Sequence, residues 1–129
     1  MAQRVWVVDD EPHIRTAMLA VLEEIGYESR GFENAEEFYR ALVEEGITPD
    51  LLLLDQRLPD EMGTTIVHSL RERPQYRDIP VLFVTAIDDE EAGRLTDIAP
   101  VIRKPFDFVD LVAAVRDQLG DEEPSTPLA

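Results

Sequence analysis

Short apolar runs alternate with amphipathic stretches five times along this chain, and that rhythm narrows the choice of fold more than any other feature. The runs are VWVV at residues 5–8, a weaker one over 27–32, LLLL at Leu51–Leu54, VLFV at 81–84 and VIR at Val101–Arg103. They are aliphatic, β-branched or aromatic and lack polar alternation, as expected of strands buried on both faces. Between the first two runs, Ile14, Ala17, Met18, Val21, Leu22 and Ile25 recur at helical spacing, with Gly26 at the C-cap. Asn34 is placed to cap a second helix, with Glu37 in the capping-box position, a stripe of Phe38, Tyr39, Leu42 and Val43, and Gly46 at its end. Ile66, Val67 and Leu70 mark a third helix, stopped before Pro74. Residues 89–97 read as a fourth with a thin stripe of Ala92, Leu95 and Ile98, interrupted by Gly93. Asp107 caps a fifth whose face is Phe108, Leu111, Val112, Val115 and Leu119.

Strict strand–helix alternation predicts an α/β protein, a parallel sheet covered by helices on both faces. At 129 residues the chain suits one domain with its own core. That domain is expected over residues 1–120. Residues 121–129 (DEEPSTPLA) are polar, acidic and proline-bearing, and read as a disordered end or the start of a linker.

Composition removes several function classes. The chain has no cysteine, which excludes disulfides, thiolate catalysis and cysteine-ligated metals. No apolar run approaches the roughly 20 residues of a membrane span. The N-terminus turns acidic too early for a secretory signal, so a cytoplasmic protein is expected. A formal net charge of −16 repels phosphate backbones, so the domain alone is a poor nucleic-acid binder. It suits divalent cations or basic partner surfaces instead.

In an open parallel α/β sheet, ligands bind outside the carboxyl ends of the strands. The residues ending each apolar run are therefore the informative ones. Asp9, Asp10 and Glu11 follow VWVV, Asp55 follows LLLL, Thr85 and Ala86 follow VLFV, and Lys104 and Pro105 follow VIR. Each alone has an ordinary explanation. Asp10 could cap the first helix ahead of Pro12, Asp55 and Thr85 could be turn residues, and Lys104 could be a surface lysine. Together they place three aspartates, a hydroxyl and an ammonium in one crevice. Asp9, Asp10 and Asp55 would repel one another, and burial would raise their pKa values unless a cation intervened. Oxygen-only ligands point to a hard ion, Mg²⁺ first. A carboxylate beside such an ion can attack a phosphoryl group, with Lys104 and Thr85 stabilising the transferring oxygens.

The set resembles the receiver domain of two-component response regulators. The match is Asp9–Asp10, Asp55 with Pro59 and Gly63 behind it, Thr85–Ala86 and Lys104–Pro105–Phe106, covering about residues 4–119. Asp10 to Asp55 is 45 positions and Asp55 to Thr85 is 30, which also fits. The resemblance implies a single doubly wound (βα)5, flavodoxin-like domain with strand order 2-1-3-4-5. It implies that Asp55 accepts a phosphoryl group from the phosphohistidine of a sensor histidine kinase or phosphotransfer protein. It implies Mg²⁺ held by Asp9, Asp10, Asp55 and the backbone carbonyl of Arg57, with Thr85 and Lys104 meeting the phosphoryl group. Lys104–Pro105 would be cis. A downstream protein or fused output domain would read the signal, and a homodimer is compatible with it. Such a domain is a signalling module rather than an enzyme, beyond self-phosphorylation and autodephosphorylation. His13 and His68 are expected as ordinary surface residues.

Two departures stand out. Family members usually carry Tyr or Phe three residues before the lysine, as the rotating partner of the threonine, and here that position is Val101. Valine, stiff at χ1, cannot report phosphorylation by ring rotation. Thr85 to Lys104 also spans only 19 positions, short by about three, roughly one helical turn on the thin fourth helix. The expectation is retained phosphoryl acceptance with a modified output surface. Two rivals are a haloacid-dehalogenase-like phosphatase and a phosphorylation-independent receiver acting as an interaction module. The first needs an Asp two residues after the nucleophile, where this chain has Arg57.

Overall fold

A computed structural model describes residues 2–121. Of the expected tail or linker, residues 121–129, all but Asp121 lie outside the described residues. The strands are β1 (Arg4–Val8), β2 (Glu28–Phe32), β3 (Leu51–Leu54), β4 (Val81–Thr85) and β5 (Val101–Arg103). The helices are α1 (Pro12–Glu24), α2 (Ala35–Glu44), α3 (Gly63–Arg71), α4 (Asp89–Thr96) and α5 (Phe108–Leu119). All four strand pairings are parallel, and the order is β2-β1-β3-β4-β5, as expected of the doubly wound fold. No helix among the described residues is long and apolar enough to cross a membrane.

Alternation along the strands divides the interior into two layers. Trp6, Val8, Leu52, Leu54, Val81 and Phe83 face one side, where Phe38, Leu42, Ile66, Leu70 and Leu95 bring α2, α3 and α4 against them. Val5, Val7, Leu51, Leu53, Leu82 and Val84 face the other, covered by Met18 and Leu22 of α1 and Leu111 and Val115 of α5. Trp6, Phe32 and Phe38 stack at tilted or edge-on angles, with centroids 5.1 to 6.1 Å apart, which aromatic quadrupoles favour. Burying a side chain of this size contributes about 1.5–3 kcal/mol each, so the central strands carry much of the core's stabilisation.

The element boundaries carry a few corrections. The N-cap of α1 is Glu11, not Asp10, and no side chain caps that end; Pro12 takes the first helical position. Asp107 occupies the N-cap of α5 without a side-chain hydrogen bond. Asn34 does cap α2, accepting from the Glu37 N–H. Val43 and Ile98 stand on expected buried stripes but are exposed: α2 buries Ala35, Phe38, Ala41 and Leu42 with Tyr39 packed partly against the core, and Ile98 lies past the end of α4, which buries Leu95. At 8 residues α4 is the shortest helix, in keeping with the short Thr85–Lys104 interval. β2 starts at Glu28, and Tyr27 packs into the α1/α5 layer just before it.

Candidate phosphoryl-transfer site

The sheet positions the site by extending its hydrogen-bond ladder one residue past the strands. Asp9 N–H donates to Phe32 O at 3.0 Å, Asp55 N–H to Val8 O at 3.0 Å and Lys104 N–H to Thr85 O at 2.9 Å. The backbones of Asp9, Asp55 and Lys104 are therefore fixed by neighbouring strands, and their side chains leave the sheet in one direction.

Those side chains meet. Carboxylate oxygens of Asp9, Asp10 and Asp55 lie within 4.8 Å of one another, with Asp9 and Asp55 buried and Asp10 exposed. Lys104 Nζ donates to Asp9 Oδ2 at 2.7 Å, Glu11 Oε1 at 2.9 Å and Asp55 Oδ2 at 3.2 Å. The Thr85 hydroxyl donates to Asp55 Oδ1 at 2.6 Å, and the Arg57 N–H reaches the same oxygen at 3.4 Å. Lys104–Pro105 is cis, and Glu11, Ile14, Ala86, Lys104, Pro105 and Phe106 line an open cleft beside this cluster.

Electrostatics follow from crowding four carboxylates around one ammonium. Burial pushes the Asp9 carboxyl above its ordinary value and the charge of Asp55 adds to the rise, against the opposing pull of Lys104 and the Glu11 N–H. Burial alone would lower the Lys104 pKa, but hydrogen bonds to Asp9 and Glu11 and the charges of Asp55 and Asp9 override it and raise it. Lys104 thus stays charged while the site keeps an excess of negative charge. The other guanidiniums nearby are committed elsewhere. Arg15 donates to the Asp9 carbonyl at 2.7 Å and Arg57 to Glu91 Oε1 at 2.6 Å.

Below Asp55 the β3–α3 loop is tightly closed. Gly63 N–H donates to Gln56 O at 2.8 Å, and the buried Gln56 amide accepts from Thr64 N–H at 2.9 Å and donates to its hydroxyl at 3.3 Å. Gly63 is required for close approach: a Cβ there would sit 2.6 Å from the Asp55 carbonyl oxygen. The loop also reaches the helix beyond it. Asp60 accepts from Ala35 N–H and Glu36 N–H at 3.0 Å each, and Tyr39 donates to Glu61 Oε2 at 3.0 Å.

All five side chains singled out at the strand ends (Asp9, Asp10, Asp55, Thr85 and Lys104) come together in this crevice. The Arg57 backbone N–H lies near the Asp55 carboxylate, while its side chain turns to Glu91 of α4. Both histidines are exposed, His68 facing Glu72 at 3.3 Å. Sequence reasoning passed over Glu11 as a partner of Lys104, although it stands in the acidic run after VWVV. It also missed Gln56 and Asp60, for which no local pattern gives a signal.

The chain is similar to known proteins in sequence and in fold. The chain matches the response regulator receiver domain family over residues 5–116. It is 37% identical over 119 residues to the phosphate regulon transcriptional regulatory protein PhoB of Escherichia coli, a match covering 90% of this chain and 51% of that protein. The chain thus spans about half the length of that relative. The signal receiver domain of a signal transduction histidine kinase from Syntrophus aciditrophicus is 28% identical and superposes with a TM-score of 0.82, covering 99% of each chain. The response regulator TrrA of Thermotoga maritima, solved in complex with Mg²⁺ and BeF, is 30% identical with a TM-score of 0.77, covering 91% of this chain and 99% of that one. With five strands in the same order and a family match over nearly the whole chain, this protein belongs to the response regulator receiver domain family.

Proposed function

We propose that residues 1–120 are a phosphoacceptor domain in which Asp55 takes a phosphoryl group from a phosphohistidine on a histidine kinase or phosphotransfer protein. A carboxylate oxygen of Asp55 attacks phosphorus. The P–N bond breaks, its electron pair stays on the imidazole nitrogen, and that nitrogen takes a proton from solvent. The product is an acyl phosphate, and attack of water on it later releases inorganic phosphate and restores the carboxylate. The observation that carries this reading is the convergence of Lys104 and Thr85 on the one carboxylate that sits within 4.8 Å of Asp9 and Asp10.

The donor set fits Mg²⁺. It offers oxygen ligands only, with more carboxylates than its single ammonium balances. Asp9, Asp10, Asp55 and the Arg57 carbonyl would hold the ion. When bound, it would neutralise charge on the transferring oxygens. The relative solved with Mg²⁺ and BeF supports the assignment. The chain's own residues do the rest. Lys104 and Thr85 already donate to Asp55, and the same donors serve the phosphoryl oxygens once they are present. The cleft between Ile14, Ala86 and Phe106 gives a donor imidazole an apolar approach to Asp55. The reading makes this a signalling module of the cytoplasm, with a downstream protein or a fused output domain as its reader.

A second reading, a phosphorylation-independent interaction module, is favoured by one observation: Val101 occupies the position of the usual rotating aromatic. Incubation with acetyl phosphate and Mg²⁺ followed by intact-mass measurement separates the two. A phosphoryl adduct that disappears in Asp55→Ala supports phosphoacceptance. Absence of any adduct, with acetyl phosphate or phosphoramidate, favours the second reading.

A further inference from the structure

Arg57 is tied to the acceptor at one end and to α4 at the other. Its backbone N–H lies 3.4 Å from Asp55 Oδ1, while its guanidinium crosses to Glu91 Oε1 at 2.6 Å. The pair is lopsided. The Arg57 side chain is 62% exposed, whereas that of Glu91 is only 12% exposed. We propose that, when Asp55 carries a phosphoryl group, Arg57 exchanges Glu91 for the phosphoryl oxygens, and that this exchange releases the first turn of α4. The inference rests on Asp55 being the acceptor.

Charge and reach both favour the exchange. A phosphoryl group brings nearly two negative charges and three acceptor oxygens, a stronger and better-shaped partner for a guanidinium than one carboxylate. The long arginine side chain starts beside the Asp55 carboxylate. Glu91 then becomes a poorly solvated carboxylate without its cation, a costly state unless the helix turns it outward. α4 is built to yield. It buries only Leu95, and its first turn holds Asp89, Glu90 and Glu91 behind the capping Asp88. A second tie, from Arg103 to Asp89 Oδ1 and the Ile87 carbonyl at 2.6 Å each, grips the same first turn and limits how far its release goes. The device needs no rotating aromatic, so it works with Val101 in place.

Amide hydrogen exchange over residues 88–96 tests this, in samples treated with acetyl phosphate and Mg²⁺ and weighed intact to measure loading. In the wild type, loading is expected to raise exchange of this segment about fivefold, as loss of one stabilising contact would. Glu91→Gln and Arg57→Ala should show the raised exchange before loading and no further increase after it. Arg103→Ala, which loosens α4 by the other tie, should start higher yet still respond to loading, so general destabilisation is told apart from the exchange. Glu91→Gln also leaves Arg57 unengaged, and its adduct should decay at a rate different from that of Arg57→Ala. A loaded wild type with unchanged exchange at 88–96, or an Arg57→Ala variant that responds as fully as the wild type, overturns the exchange and leaves phosphoacceptance standing. A wild type that takes no adduct overturns both.

Discussion

Adding one methyl group at Gly63 probes how closely the β3–α3 loop is folded beneath Asp55. An alanine Cβ there would lie 2.6 Å from the Asp55 carbonyl oxygen, 3.0 Å from Gln56 Oε1 and 3.1 Å from Gln56 Cα. Two of these are backbone atoms that no rotamer change can move, so either the loop or the start of α3 must shift. Overpacking of this kind costs about 1–3 kcal/mol. Replacing glycine in a helical first turn returns up to about 1 kcal/mol through the unfolded chain. The expected net for Gly63→Ala is therefore a loss of about 1–2 kcal/mol, or roughly 3–10 °C in melting temperature for a domain of this size. Gly93 supplies the opposite sign with the same chemistry. It lies inside α4 with nothing within 4 Å of a Cβ. Gly93→Ala should stabilise by about 0.5–1 kcal/mol. Urea unfolding of both variants and the wild type, without Mg²⁺, measures the difference, and acetyl phosphate labelling reports displacement of Asp55. Labelling should slow in Gly63→Ala alone. A Gly63→Ala protein that unfolds at or above the wild-type midpoint would refute the close-approach argument.

Three further outcomes are expected. Mg²⁺ should stabilise the fold through the acidic cluster by about 2.7 kcal/mol when the ion is a hundredfold above its Kd, read as a rise in melting temperature, and the gain should shrink in Asp10→Asn; an equal gain in that variant would count against the assigned ligands. The phenols of Tyr39 and Tyr27 are pushed up to about 12 by burial and by the carboxylates of Glu61 and Asp121, so an absorbance titration should show both ionising well above the ordinary 10.0. Because both pKa values are raised in the folded state, the stability linked to them is full below pH 10.0 and lost as pH rises through about 12, and Glu61→Gln should narrow that window for Tyr39. Asp60→Ala removes the carboxylate that holds two N–H groups at the start of α2 and should cost about 1–2 kcal/mol in urea unfolding, with no loss indicating that water replaces it.

Much of this was legible because it rests on periodicity and on strand ends. Leu51–Leu54 and residues 81–84 could only be central strands, and the first polar residue after each had to enter the crevice. What escaped was set by long-range geometry. Val43 and Val112 look alike in a helical stripe, but whether a neighbouring element covers such a residue depends on packing that no spacing reveals. Likewise Gln56, Asp60 and Arg57 are unremarkable polar residues in a loop. Their partners lie 8, 24 or 25, and 34 positions away, so only the folded chain shows that this loop ties Asp55 to α2, α3 and α4.

β3 has a consequence of another kind. Leu52 and Leu54 belong to one layer of the interior and Leu51 and Leu53 to the other, so the two layers share this strand and Asp55 stands at its end. β1 and β4 alternate between the layers in the same way, so neither layer can drift in sequence without being felt at Asp55 and the strand-end residues around it. Mutations that retune the pocket, or that restore it after damage, therefore have two separate hydrophobic territories in which to arise. In an evolving lineage, the reactivity of Asp55 becomes open to adjustment from buried positions that lie outside the crevice.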